Sequence, residues 1–487
     1  MEVENGVLSV QVNEKYVDEI LVETSVDTLE RGGATKVVSL EAEVKGAQVE
    51  LLAGEAEVSG KANYRLLYLD RQNRLCGLDY FKDFKCRVKG EGFAPTGRGS
   101  VSFRIPDAEA RIAGDEISLS AVVDVLVSYS GEVEKPAVTA ITGAETLAAE
   151  VASERVERRE RVIELDKVAD VGLGIKKIVL FRADAMPISV TGEGTGVTLN
   201  GEVRGSVLYL NEADEVVEMT VSIPFSEGSD GEAKDYEAAV KSARVILTDD
   251  DDGNSVEVEA SLLLTEIVYR EEAQSAIVAA ASDKTFIEEK RERVCEERFV
   301  GRELYEESLG GTVVATDEGG SVAFVRAGCY AIAGVTVGDG EVRVEGVAAF
   351  RAALATEEGY TSLPAELPFV YVLPFAEARE GMSAEVKFVV TDATGSLRGK
   401  DVTISAKAHV EIRLYEKRCY TYLSEVKEGA PIPESEAGIS VYFAEKGEDL
   451  WSIARSVGVL PSALVKANSF LTEPLQENKK VLIFRQK

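Results

Sequence analysis

From Val402 to Leu414 the chain alternates without a break. Val402, Ile404, Ala406, Ala408, Val410, Ile412 and Leu414 are separated by Thr403, Ser405, Lys407, His409, Glu411 and Arg413. Side chains of a strand point to opposite faces with a period of two, so this run predicts a long strand with one buried and one wet face. The same alternation occurs twice upstream, in Ile117, Leu119, Ala121, Val123, Val125 and Val127, and in Val256, Val258, Ala260, Leu262 and Leu264. Each run leads to a tyrosine. Tyr129, Tyr269 and Tyr415 stand 140 and 146 residues apart. Relative to the tyrosine, the parity slips by one in the first copy, which predicts either a bulge or a one-residue offset in the pairing of the copies.

Recurrence at a fixed period is the signature of duplicated units. Tyr64–Leu75 (YRLLYLDRQNRL), Val207–Val216 (VLYLNEADEV) and, more loosely, Ala353–Tyr360 (ALATEEGY) each carry an apolar run into a short acidic turn. Tyr68 and Tyr209 are 141 residues apart, and an aromatic follows each block: Phe81, Phe225 and Phe369. Residues Lys176–Phe181, Gly205–Leu210 and Lys387–Thr391 also read as strands, with turn chemistry at Asn200-Gly201, Asp252-Gly253-Asn254 and Gly338-Asp339-Gly340. Short strands with glycine-rich turns predict a mainly β protein of three tandem antiparallel β-sandwich or barrel-like repeats, residues 1–143, 144–285 and 286–423. The charged stretches Ala144–Arg161 and Phe286–Glu307 read equally as helices or as long edge strands. Ser424–Gly438 is rich in Pro, Glu and Ser and reads as a linker. Residues 439–487 form a separate small α+β module.

Composition narrows the chemistry. Fifty-four Lys and Arg stand against 86 Asp and Glu, a net charge of -32. Such a surface repels phosphate backbones and anionic lipid, so neither nucleic acid nor a membrane surface is an expected partner. No run approaches ~18 uninterrupted apolar residues, so no spanning helix and no membrane insertion are expected. The first residues, MEVENGVLSV, lack the basic and apolar regions of a secretion signal. Hydrophobic residues make up 45%, enough for real cores. A single histidine, His409, rules out a multi-histidine metal site. On the polar side of its strand, it reads as a solvated imidazole. Five cysteines without a C-x-x-C pair argue against a disulfide framework and for a reducing, cytoplasmic setting; Cys76, Cys86, Cys329 and Cys419 read as buried inert thiols.

Other motifs fall short of a site. Thr248–Glu259 (TDDDDGNSVEVE) places Asp250, Asp252, Gly253 and Glu259 at Ca²⁺-loop positions, but Thr248 replaces the first ligand and strands flank it, so a hairpin turn is the better reading. Gly172-Leu173-Gly174 and Gly192–Gly196 lack the strand–turn–helix setting of a dinucleotide site. Neither a metal nor a cofactor is expected, and no catalytic residue is assigned.

The last fifty residues differ from the rest. Residues 439–487 hold five acidic and seven basic residues, which leaves a net of -34 on the remainder. Val441–Ala444 reads as a strand that enters a turn at Gly447. Leu450, Ile453, Ala454 and Val457 then share one helical face, and Gly458 stops the helix. Pro461 opens a second helix over Ser462–Ala467, Asn468 ends it, and Val481–Phe484 is a second strand. Trp451 is expected to fill the small core. Phe470 and Leu471 fall in a loop and serve either as a contact surface or as a cap on the module.

This βααβ unit resembles a LysM domain through Gly447, Leu450, Trp451, Ile453, Ala454, Leu464, Asn468 and Ile483, which stand in that family's order. The resemblance implies a shallow groove for N-acetylglucosamine-containing glycan between two loops, here Gly447, Glu448, Asp449 and Leu450, and Asn468, Ser469, Phe470 and Leu471. Glu448-Asp449 stands where the family has a hydroxyl residue, and Gln476-Glu477-Asn478 replaces its Pro-Gly. Those changes fit a protein partner at least as well as a sugar. Acidic β repeats ahead of such a module resemble the clostridial spore-coat morphogenesis proteins of the SipL type. That likeness implies a mother-cell protein at the forespore surface whose LysM module binds the coat-basement ATPase or another coat protein. The expected function is therefore a non-catalytic coat-assembly scaffold with self-association through its edge strands as a further option. The alternatives are a peptidoglycan-binding cell-wall protein and, well behind, a glycan hydrolase with a LysM tail.

Overall fold

The structure is a computed structural model. It describes all residues except 172, 173, 193, 249–254, 316–319, 358, 434–437, 472, 473 and 485–487. The protein is mainly β, built from several small antiparallel sheets. In chain order the strands are β1 (Glu2–Asp27), β2 (Ala34–Leu52), β3 (Glu55–Asp70), β4 (Leu75–Lys89), β5 (Arg98–Ala113) and β6 (Glu116–Thr142). Then come β7 (Glu145–Asp170), β8 (Ile175–Ala185), β9 (Ser189–Thr191), β10 (Val197–Asn211), β11 (Val216–Ser229), β12 (Asp235–Thr248) and β13 (Ser255–Ala281). These are followed by β14 (Thr285–Val314), β15 (Ser321–Gly338), β16 (Glu341–Thr356), β17 (Gly359–Pro374), β18 (Ser383–Arg398) and β19 (Asp401–Pro431). The chain ends with β20 (Ile439–Ala444), α1 (Leu450–Val457), α2 (Pro461–Ala467) and β21 (Lys479–Phe484).

Three sheets take the orders β1-β6-β5, β7-β13-β12 and β14-β19-β18, and three take β2-β3-β4, β8-β10-β11 and β15-β16-β17, with β9 added beside β10. The alternating runs lie in β6, β13 and β19. Their apolar residues pack against the corresponding second sheet in three separate cores. The strands paired to them, β5, β12 and β18, each break register near the middle, between Arg104 and Asp107, Val240 and Ser242, and Thr391 and Thr394. Such bulges bend a strand and raise its twist.

Local chemistry recurs with the strands. On the middle strand of each second sheet a glycine lies opposite a phenylalanine: Gly60 and Phe84, Gly201 and Phe225, Gly346 and Phe369. A Cβ at these glycines would stand 3.0, 2.5 and 2.7 Å from the ring, so the ring lies over bare backbone. The first aromatic landmark of the sequence is thus Phe84. Phe81, expected in that role, is exposed. The turn after β3 is closed by Asp70, which accepts from the backbone of Gln72 and Arg74. Asn211 accepts likewise from Ala213 and Glu215 after β10. Asn73 and Asp214 take the left-handed conformation in these turns, at φ 58° and 60°. The parity slip at the tyrosines is an offset of one: Tyr129 is buried in its core, whereas Tyr269 and Tyr415 are only partly buried and meet across Phe299.

The charged stretches that precede the second and third alternating runs are strands. β7 pairs along its whole length with β13, and β14 with β19, so their backbone bonds are met in ladders rather than in helices. The expected linker starts later than its composition suggests. Glu425–Pro431 continues β19 against Thr285–Lys290, and Leu423 and Val426 are buried beside Val138 and Ile277. Residues 434–437 of that segment lie outside the described residues. The cysteine expectation also fails at one pair. Cys295 faces Cys419 in the β14–β19 register, with Cα atoms 4.1 Å apart, and the two form a disulfide. Cys76, Cys86 and Cys329 are free and half-buried.

The second sheets meet one another. Leu67 and Leu75, Leu180 and Leu208, and Phe324 and Ala353, from β3–β4, β8–β10 and β15–β16, share one apolar cluster. A second cluster gathers Leu8, Val151, Val294 and Tyr422 from the long strands β1, β7, β14 and β19. With the cluster of Val138, Ile277 and Leu423 described above, the three strand sets are therefore drawn together at three points. No helix among the described residues is long and apolar enough to cross a membrane.

Candidate docking site

In the terminal module, β20 and β21 pair antiparallel from Ile439–Phe484 to Ala444–Lys479. Asp449 caps α1 by accepting from the backbone N–H of Ser452 at 2.8 Å and from its hydroxyl at 2.7 Å. Gly458 ends that helix in the left-handed conformation. Trp451, Ile453, Ala454 and Leu464 form a small core with Val481 and Ile483, so the tryptophan is a packing residue.

The loop residues expected to form a groove are mostly spent inside the module. Glu448 accepts from the Tyr442 hydroxyl at 3.0 Å and from the backbone N–H of Glu445 at 2.8 Å. Its carbonyl accepts from Leu475, whose own carbonyl accepts from Gly447. Asn468 is buried, donates to the carbonyls of Leu464 and Leu482, and accepts from the Leu482 N–H. Leu450 and Leu471 pack partly buried against the module core. Gly447, at φ 92°, and Ser469 are exposed. Phe470 is exposed too, with the Lys479 ammonium 5.8 Å over its ring. Of the eight residues, the polar side chains of Glu448, Asp449 and Asn468 hold the fold, and Phe470 is the large one left to the outside.

The helices face the body. Ala279 and Ala281 of β13 belong to the module's core cluster. The Ser462 hydroxyl donates to Glu145 at 2.8 Å, Arg455 pairs with Glu289, and Gly458 lies under Ile432. The opposite face of β20–β21 is open and apolar: Ile439 is 59% exposed, Phe443 69% and Phe484 50%, with Val441 and Leu482 between them. The sequence carries a signal for this face. Val441–Ala444 and Val481–Phe484 are continuous apolar runs rather than alternating ones, and such runs belong to strands covered on both sides.

A second concave feature lies where the second sheets converge beside β18, a cleft of about 600 Å³ lined by Glu41, Arg182, Arg204, Glu218, Arg326 and Asp392 among others. Its arginines are matched with carboxylates. Arg326 pairs with Glu41 and, at 3.2 Å, with Glu218; Arg182 stands 3.4 Å from Glu41 and 2.6 Å from Asp184; Arg204 lies 3.0 Å from Asp392. Burial alone would raise the Glu41 carboxyl, but Arg326 and Arg182 outweigh it and hold it down to about 2. The cleft is an electrostatic joint between strand sets. His409 is half-buried rather than solvated, with Nε2 3.0 Å from the Thr391 hydroxyl. The residues 249–254 that carry most of the Ca²⁺-like pattern lie outside the described residues.

No family model, curated protein or solved structure matches the chain.

Proposed function

We propose that this is a non-catalytic assembly protein. On this reading its body is three tandem copies of one antiparallel β-sandwich unit, and its βααβ tail is a LysM-type module that docks the body onto a protein partner. The recurring strand order, glycine–phenylalanine pairs and capped turns support the duplication. In the coat-assembly setting implied by the resemblance to the SipL-type proteins, the partner is the coat-basement ATPase at the forespore surface, and the protein works in the mother-cell cytosol.

One observation carries the preference for a protein over a glycan. The carboxylates and the amide of the two loops are bonded within the module, while apolar side chains are left facing outward. Sugar recognition relies on free, convergent polar groups, and protein docking relies on apolar area that association removes from water. The test is a pull-down of the purified ATPase by the full chain, run beside co-sedimentation with purified peptidoglycan. Retention of the ATPase without pelleting on peptidoglycan is expected. Pelleting on peptidoglycan with no ATPase retained would establish the glycan reading instead.

A further inference from the structure

The outer face of β20–β21 is defined by register. Ile439 lies opposite Phe484, Val441 opposite Leu482, and Phe443 opposite Lys480, whose ammonium stands 5.5 Å over the Phe443 ring. Together the apolar side chains offer roughly 400–500 Å², the size of the largest patch on an ordinary monomer and one that is often functional. The end of the face at Phe443 carries more basic than acidic groups: Lys480 borders it, Lys446 follows β20 beside the exposed Glu445 in the turn that Asn478 holds at 2.7 Å, and Lys479 is paired with Glu477 at 2.5 Å. This is a local reversal in a chain of net charge -32.

Two arguments choose the occupant. Two copies closing these faces on each other would bury roughly 900 Å² in total, below the range of a stable interface. In the arrangement that superposes their basic ends they would also set Lys480 against Lys480, and like charges suppress association. A partner with carboxylates beside an apolar surface meets both the patch and its rim.

We propose that the outer face of β20–β21 receives an apolar segment of a partner protein flanked by carboxylates, with the segment over Val441, Phe443, Leu482 and Phe484 and its acidic flank against Lys446 and Lys480. The proposal rests on the docking reading above, and it moves the contact from the loops at 447–450 and 468–471 to the sheet.

The experiment uses the full chain and two fluorescent amphipathic peptides that share a leucine face, one bordered by glutamates and one by lysines. Fluorescence anisotropy should show binding of the glutamate peptide, weakening with salt, and at least about tenfold weaker binding of the lysine peptide. Phe443→Glu should lower affinity for the glutamate peptide about tenfold or more, because it places an unpaired charge under the segment. Lys480→Glu should reduce or reverse the preference between the peptides while leaving the apolar face intact, so it remains informative if Phe443→Glu disturbs the module. Equal affinity for both peptides, binding of neither, or unchanged affinity in both variants would overturn the proposal. A dimer in sedimentation velocity that Phe443→Glu abolishes would overturn the choice of occupant. If ATPase retention is lost in Phe470→Asp/Leu471→Asp but kept in Phe443→Glu and Lys480→Glu, the docking reading stands and the sheet assignment fails. If the ATPase is never retained but the peptide results hold, the docking reading fails and the sheet assignment stands.

Discussion

Replacing Glu41 by Gln removes an anion shared by Arg182 and Arg326 at the joint between strand sets. Its carboxyl titrates near 2 in the fold, against an ordinary value of 4.5. That difference corresponds to about 3 kcal/mol of stability at neutral pH. Loss of one partner from a buried pair costs ~3–5 kcal/mol in other proteins, but here Glu218 and Asp184 still face the arginines. An effect of about 2–3 kcal/mol at pH 7 is therefore expected. Because the folded value is depressed, this contribution is complete above 4.5 and is lost as the pH falls toward 2. The gap between wild type and Glu41→Gln should shrink by about half by roughly pH 3. Urea unfolding followed by far-UV circular dichroism is the appropriate assay. The single tryptophan, Trp451, lies in the terminal module and would report on that module alone. Adding Arg326→Met to Glu41→Gln should recover part of the loss, since the buried guanidinium then no longer lacks its partner. A gap below about 1 kcal/mol at pH 7, or one that stays constant on acidification, would refute the reasoning.

The remaining predictions concern other joints. A Cβ at Gly77 would stand 1.8 Å from the Val179 carbonyl of the neighbouring strand set, so Gly77→Ala should destabilise by ~1–3 kcal/mol and lower the thermal midpoint. Burial raises the Glu154 carboxyl to about 7, even though it accepts from the Phe299 N–H at 2.8 Å. Its protonated form is favoured in the fold, so stability is full below 4.5 and is lost as the pH rises through 7; Glu154→Gln should match wild type at pH 4 and exceed it by up to about 3 kcal/mol at pH 8 in urea titrations. The disulfide closes a separation of 124 residues, so Cys419→Ser should cost ~2–4 kcal/mol and leave reductant without further effect on the unfolding midpoint. Asp449→Ala removes the cap of α1 and should cost about 1 kcal/mol, seen as earlier unfolding by Trp451 fluorescence with the body's dichroism unchanged.

The strands that alternate most strictly were the legible ones. β6, β13 and β19 alternate because one face of each is packed in a core while most of the other is partly open, although Glu411 and Arg413, expected on the wet face of β19, are buried against Arg302 and Asp235; β17, which also alternates buried and exposed, was not read as a strand. β7 and β14 were not legible: arginines and glutamates fill both faces, and only the ladders to β13 and β19 show them to be strands. The end of β19 was hidden by residues typical of linkers, whose backbone is nonetheless satisfied by β14. Cys295 and Cys419 look unrelated in sequence because their meeting depends on a register set over the whole ladder. At the terminal module, the shared face of Leu450, Ile453, Ala454 and Val457 and the stop at Gly458 announced the first helix. Glu448 and Asn468 carried the right chemistry for a site, but hydrogen bonds across the turn and to β21 show them holding the module together. The open apolar face was written in two short runs that do not alternate, and its exposure depends on which side the helices and body cover.

Glu41, Arg182 and Arg326 occupy neighbouring corners of the same joint, one acid between two bases. A ring assembled from three separate identical chains must place the same residue at every corner, and three glutamates or three arginines in so dry a spot would drive the ring apart. On the duplication proposed above, joining the corners in one polypeptide frees each to mutate by itself, so the joint can become complementary where a symmetric assembly would be forced into repulsion.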